Sequence, residues 1–403
     1  MECEHNKCSE DYHELVSKYR EVSPCIKDII SHCNSKKYAT SDMGSLIVLL
    51  EDLAQRDVYI EGSDIEFERN VLELLEFETY TMMGDYEQLK NRILELASCI
   101  TSISENQNLP LLLNILMDGV RAYNSMINKQ SKSPAPQLEM SFWSIKDMDS
   151  IYATNGGNTT LLDYTLEKIQ DQFPSVLRTF EEMNYLEKIL TRCKISEIHR
   201  GILRLNFGLN RRIKALEECI IRRMNSEGEH LEDRSEQNNQ LVLKIESLRE
   251  VSDYLKSEFV CLIKDILFFS KYLGLDNRCP YGQEDDSICE ADAESIKETY
   301  EDLISEIETV CEMFQNGQAH KTREIMDRII SDLDIREMEE ILSALNLLNW
   351  LKGRVSICLG LNLGSKMEEI STIYGDKRHA LSREDIEDER ALDHQETRYY
   401  EDM

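Results

Sequence analysis

Residues 195–224 read ISEIHRGILRLNFGLNRRIKALEECIIRRM, and this stretch decides the fold. Its apolar residues fall at Ile195, Ile198, Ile202, Leu205, Leu209, Ile213, Leu216, Ile220 and Met224, alternating three and four positions apart. At 3.6 residues per turn that spacing gathers them on one face of a helix roughly 45 Å long. The same arithmetic sets Arg200, Arg204, Arg211, Lys214 and Arg222 within about 80° of one another on the opposite face. A second apolar series follows at Leu241, Ile245, Leu248, Leu255, Phe259, Leu262 and Ile266. Residues 225–240 between them are polar and turn-like, so residues 195–272 are predicted to form a long antiparallel coiled-coil hairpin.

Helical periodicity extends outward in both directions. Ile26, Ile29, Ile30 and Cys33 follow Pro24, and Leu46, Leu49, Leu50 and Leu53 follow the cap candidates Ser41 and Asp42. Val71, Leu72, Leu74, Leu75 and Phe77 form a denser patch, which predicts burial on more than one side. Leu89, Ile93, Leu96 and Ile100 continue the pattern. The nearly all-apolar run Leu109–Leu116, ending at Gly119, is predicted to be the most buried helix of the first half. Residues 128–137 carry two prolines and read as an exposed loop. A short helix from Trp143 to Ile151, a turn at Asn155-Gly156-Gly157-Asn158, and a helix begun by Thr159 and Thr160 come next, the last stopping near Pro174. Helices resume at Ile296–Phe314 and Ile325–Leu351. No strand pair is legible, so the expected fold is all-α, an elongated helical bundle. Its expected divisions are a flexible N-terminus (1–11), a main helical region (12–312), C-terminal helices (313–372) and an acidic tail (373–403). From Asp376 onward that tail has 10 acidic and 5 basic residues, too few apolar groups to offset its ordering entropy.

Composition narrows function. Asp and Glu outnumber Lys and Arg by 77 to 46, a net charge of −31, so phosphate backbones and anionic membranes are repelled except at a local basic patch. No apolar run is long enough to span a bilayer, and the N-terminus lacks the basic-then-apolar order of a secretory signal. Twelve scattered Cys with no disulfide framework predict reduced thiols and a cytoplasmic chain. Cys3, His5 and Cys8, with Cys25 and Cys33, depart from paired zinc-finger spacing, so no metal is expected. The sequence has no phosphate-binding Gly-rich loop with Lys-Ser/Thr, no Gly-x-Ser-x-Gly elbow and no His-Glu-x-x-His. Its eight His are dispersed, and Asn155–Asn158 is more simply a tight turn than a phosphate nest. Neither a cofactor nor a catalysed reaction is expected.

An ordered series of segments resembles the formin homology 2 domain, the all-helical actin-assembly module. Phe67–Phe77 resembles its apolar Leu-Phe helix, and Ile100–Asn124 resembles its Leu-Leu-x-x-Ile-Leu run before Gly-Asn-x-x-Asn. Trp143, Ile145, Met148 and Ile151 match the spacing of a Phe-x-Leu-x-x-Leu-x-x-Leu helix. The most specific match is Thr159-Thr160-Leu161-Leu162-Asp163-Tyr164, against Thr-Thr-Leu-Leu-His-Tyr. The long hairpin after Ile195 sits where the family has its own long helices. The resemblance covers residues 12–312 and implies a formin-like, actin-binding protein of the cytoskeleton.

The departures shape the expectation. The family's lasso and linker, which close its ring dimer, have no counterpart before the first helices here, which implies impaired ring dimerisation and processive capping. The post-like motif is drifted to Gly119-Val120-Arg121-Ala122-Tyr123-Asn124. The family's apolar knob residue aligns with Glu14, beside Leu15, and its actin-contacting Lys is replaced in Ala153-Thr154-Asn155. Loss of that Lys removes a charge-assisted contact to an acidic filament. Leu15, Asn155 and the stripe Arg200, Arg204, Arg211, Lys214 and Arg222 are thus the candidate actin contacts. Actin and a coiled-coil homodimer are the expected partners, and the alternative is a helical scaffold that keeps the fold without binding actin. Met338–Leu345 faintly resembles a formin autoregulatory segment, but an ordinary amphipathic helix explains it better.

Overall fold

The computed structural model describes residues 2–33, 43–56, 58–60, 63–129, 137–152, 159–177, 179–183, 185–225, 231–273, 303–314 and 316–358. The chain is all-α; among the described residues the only extended pairing is an isolated bridge between Tyr152 and Thr160. In chain order the helices are α1 (Glu2–Ser31), α2 (Met43–Gln55), α3 (Ile65–Glu76), α4 (Met83–Ser104), α5 (Asn108–Lys129), α6 (Ser144–Asp147), α7 (Leu161–Gln172), α8 (Pro174–Leu177), α9 (Thr179–Glu182) and α10 (Leu186–Arg192). They continue with α11 (Ile195–Asn225), α12 (Leu231–Tyr272), α13 (303–314), α14 (Ala319–Asp332) and α15 (Ile335–Cys358). A π-helical stretch, Phe77–Met82, joins α3 to α4, and a 3-10 turn, Met148–Ser150, extends α6. No described helix is long and apolar enough to cross a membrane.

The helices divide into two compact units, residues 1–106 with 184–346 and residues 107–183 with 347–403. In the first, α11 turns its predicted apolar face inward from Ile195 to Ile220, every member of which is buried, but Met224, expected on the same face, is 67% exposed at the end of the helix. α3 packs along α11, and α4 and α14 pack along α12. Two glycines permit the approach to α11. A Cβ on Gly201 would stand 2.7 Å from Leu89 of α4, and one on Gly208 would stand 2.9 Å from the Phe77 ring. Charged residues also enter this core as matched sets. Lys244 Nζ donates to Glu78 at 2.7 Å, and Asp253 accepts from Lys256 at 3.1 Å and from Arg323 at 2.7 Å. Such groups are tolerated in an apolar interior only when each charge is met by its opposite.

Several expectations need correction. α1 runs through Pro24 and starts at Glu2 rather than after the proline. The lost hydrogen bond is outweighed by the burial of Tyr19 before it and Ile26, Ile29 and Ile30 after it. α12 starts at Leu231, so much of the predicted turn over 225–240 is helix; its Glu, Gln and Arg residues are good helix formers, and the one Gly is Gly228. The single helix expected over Ile325–Leu351 is two, because the Asp334 side chain accepts from the backbone of Arg336 and Glu337 and starts α15 afresh. α3, with Val71, Leu72, Leu74 and Leu75 at 0% exposure, is packed more tightly than α5, whose Leu111 is exposed. Cys261 of α12 and Cys311 of α13 form a disulfide, against the expectation of reduced thiols throughout; α13 folds back to α12 across 50 residues of sequence. Cys25, Cys99, Cys193 and Cys219 are free thiols, and burial pushes the Cys99 thiol up to about 12. The acidic tail lies outside the described residues, as do the side chains of Cys3, His5 and Cys8.

Candidate functional site

In the second unit, three segments that are distant in sequence meet. Gly119 of α5 lies so close to α7 and the 3-10 turn that a Cβ there would sit 3.1 Å from both Met148 and Thr165. Thr160 caps α7, accepting from the Asp163 amide at 3.1 Å and donating to Asp149 at 3.3 Å. The Leu161 amide donates to Ile151 at 2.6 Å, which fixes the chain entering α7. Asn124 makes a two-way clasp with Leu138, donating to its carbonyl at 2.7 Å and accepting from its amide at 2.9 Å. Arg354, near the end of α15, then donates from one nitrogen to Asp149 and Asp163 at 2.6 Å each. The core position near the start of α6 is taken by Phe142, 5% exposed, while Trp143 is half-buried. Asn155 lies outside the described residues.

The basic residues of α11 sort into three groups. Arg212 and Arg223 turn inward and stack over Phe77 and Phe67, with the guanidinium carbon 4.5 and 3.6 Å from the ring centres. Arg204 and Arg222 face outward but are already paired. Arg204 donates to Asp85 of α4 at 2.8 Å, and Arg222 grips Glu66 at the start of α3 through two bonds of 2.8 Å. The Arg222 guanidinium holds the Glu66 carboxyl below the usual carboxylate range. Arg200, Arg211 and Lys214 are exposed and make no ion pair among the described residues. The five-residue stripe thus reduces to three open cations, interleaved with the exposed apolar side chains Leu203, Phe207 and Ile221.

On α1, Leu15 is half-buried and Glu14 is exposed. Glu14 pairs with Lys18 at 2.7 Å, and that ammonium holds its carboxyl below the usual range. Met338, Ile341, Leu342 and Leu345 are core residues of α15, in agreement with an ordinary amphipathic helix. Among the described residues no group of three His, Cys, Asp or Glu is placed to hold a metal ion. No protein-family model matches the chain, and no curated protein matches it.

Sequence reasoning missed the outward Phe207 and Ile221 of α11 and placed Met224 on the inward face, because the buried series dominates the same helix. Their spacing is nonetheless present: Phe207, Lys214 and Ile221 recur every seven residues, and Asn210, Glu217 and Met224 do the same.

Proposed function

We propose that this chain is a divergent formin homology 2-like protein, an elongated bundle with a long coiled hairpin, that associates with actin filaments as a side binder. The observation carrying this reading is the convergence of Gly119, Met148 and Thr165. These residues come from, or directly follow, three separate segments on which the resemblance rests, and an ordered set of sequence matches gains weight when its members pack together. The filament contact falls to the open cations Arg200, Arg211 and Lys214, since an acidic filament attracts a local basic island even on a chain of charge −31. Co-sedimentation with filamentous actin at low salt tests the reading. The wild-type chain pellets, and the Arg200→Glu, Arg211→Glu, Lys214→Glu triple variant stays in the supernatant. A wild-type chain that does not pellet removes actin from the function.

A second reading, a helical scaffold without actin binding, draws on two observations. Two of the five stripe residues are neutralised by Asp85 and Glu66, and Glu14, tied to Lys18, stands where an apolar contact is expected. The same pelleting experiment decides between the two.

A further inference from the structure

The outward side of α11 carries a second periodic series besides the buried one. Phe207, Asn210, Lys214, Glu217, Ile221 and Met224 alternate three and four residues apart, which is the spacing of a coiled-coil seam. Phe207, Ile221 and Met224 are 64%, 57% and 67% exposed, unusually open for apolar side chains in one row. We propose that this ridge packs against the same ridge of a second copy of the chain, with the two α11 helices antiparallel.

Charge complementarity selects both the occupant and the direction. In a parallel pair each residue faces itself, so Lys214 meets Lys214 and Glu217 meets Glu217 across the seam, and like charges repel. Reversing one helix places each heptad position opposite its complement. Lys214 of one copy then faces Glu217 of the other, and Phe207 faces Met224, each pair occurring twice by two-fold symmetry. Arg211 and Glu218, which follow Asn210 and Glu217 on the flank of the seam, come together across the pair as well. Both are exposed and have no ion pair among the described residues. Glu217 accepts from Arg249 of α12 at 2.8 Å through one carboxylate oxygen, which leaves its other oxygen for the second copy. Within the patch, Arg211 and Lys214 balance Glu217 and Glu218. Two chains of charge −31 therefore meet at a locally neutral face, which limits the repulsion between them.

The test is sedimentation velocity of the full chain over a range of concentrations at low salt, with circular dichroism to check that each variant is folded. The wild-type chain dimerises reversibly. Phe207→Glu, at an exposed position, raises the dimer dissociation constant by roughly a hundredfold, since it places two carboxylates in the seam. Arg211→Glu raises it by about tenfold, and adding Glu218→Arg to the same chain restores wild-type association, because each swapped residue meets the other across the antiparallel pair. A wild-type chain that is monomeric throughout overturns the proposal. So does a dimer indifferent to Phe207→Glu, which uses another surface, or a charge swap that fails to restore association. None of these measurements involves actin, so self-association is read apart from filament binding even though Arg211 and Lys214 serve in both proposals.

Discussion

Asp253 is the anionic centre of a buried network that fastens α14 to α12, and replacing it with Asn isolates the worth of one charge. Its side chain is 2% exposed and lies between Lys256, at 3%, and Arg323, at 29%. One oxygen accepts from Lys256 at 3.1 Å and the other from Arg323 through two nitrogens, at 2.8 and 2.7 Å. Asp253→Asn preserves the shape but leaves two cations to share Asp327, which is 37% exposed and 2.8 Å from Lys256. Removing one member of a buried ion pair costs about 3–5 kcal/mol. Asp327 still meets Lys256, so the lower end applies, about 3 kcal/mol. For a unit of this size that lowers Tm by roughly 6–12 °C. Thermal unfolding followed by far-UV circular dichroism measures it, and hydrogen exchange shows the loss first in α14. Asp253→Asn with Lys256→Met removes an anion together with a buried cation and regains most of the loss. A fall below about 2 °C for the single variant, or a double variant weaker than the single, refutes the claim that these charges hold one another in place.

Gly208→Ala brings a methyl into the Phe77 ring; the overpacking cost of about 1–3 kcal/mol exceeds the roughly 1 kcal/mol gained in helix propensity, and Tm falls. Gly353→Ala, with no atom within 4 Å of the new methyl, takes only the gain and raises Tm. Tyr19 donates to the buried Glu68 at 2.7 Å, and burial raises the Glu68 pKa despite that bond. A carboxyl that binds its proton more tightly when folded loses stability as pH climbs from its unfolded pKa to its folded one. Tyr19→Phe removes a donor to the ionised form, so it destabilises more at pH 7 than in acid, whereas Glu68→Gln flattens the dependence; urea titrations at several pH values check both. Arg354→Met leaves Asp149 and Asp163 facing each other and costs about 1–2 kcal/mol, seen as faster hydrogen exchange at the start of α7.

Where local pattern decides structure, the sequence was readable: the inward face of α11 as far as Ile220, the start of α7 at Thr160 and the dense burial of α3 all followed from it. The features that escaped depend on a partner distant along the chain. Nothing local marks Gly201 and Gly208 as contact points until Leu89 and Phe77 are known to lie against them. The same is true of the π-helical stretch, whose Glu78 lies beside Lys244, 166 residues away. The split between α14 and α15 was legible in Asp334, a side chain suited to a helix start, but the periodicity on either side masks it. For the candidate site, spacing alone set the basic residues on a face that the structure leaves exposed, yet it could not tell open cations from paired ones, since Asp85 and Glu66 come from other helices.

That sorting yields a last prediction, because charge reversal on one helix should act in two different ways. At Arg222 it puts a carboxylate against Glu66, replacing two bonds with a repulsion; the pair is about half exposed, so the loss is that of a surface ion pair and Tm falls only slightly. The side chain lies to the side of the Phe207–Met224 row, and its charge is already neutralised, so partner binding holds. Arg211→Glu behaves inversely, since it breaks no ion pair within the chain and Tm stays put, while filament pelleting and self-association both weaken. Thermal melts and binding assays on these two single variants separate the functions of the stripe. If Arg211→Glu lowers Tm as much as Arg222→Glu and leaves every association intact, the open cations are only a solvated face, and neither partner proposed for α11 survives.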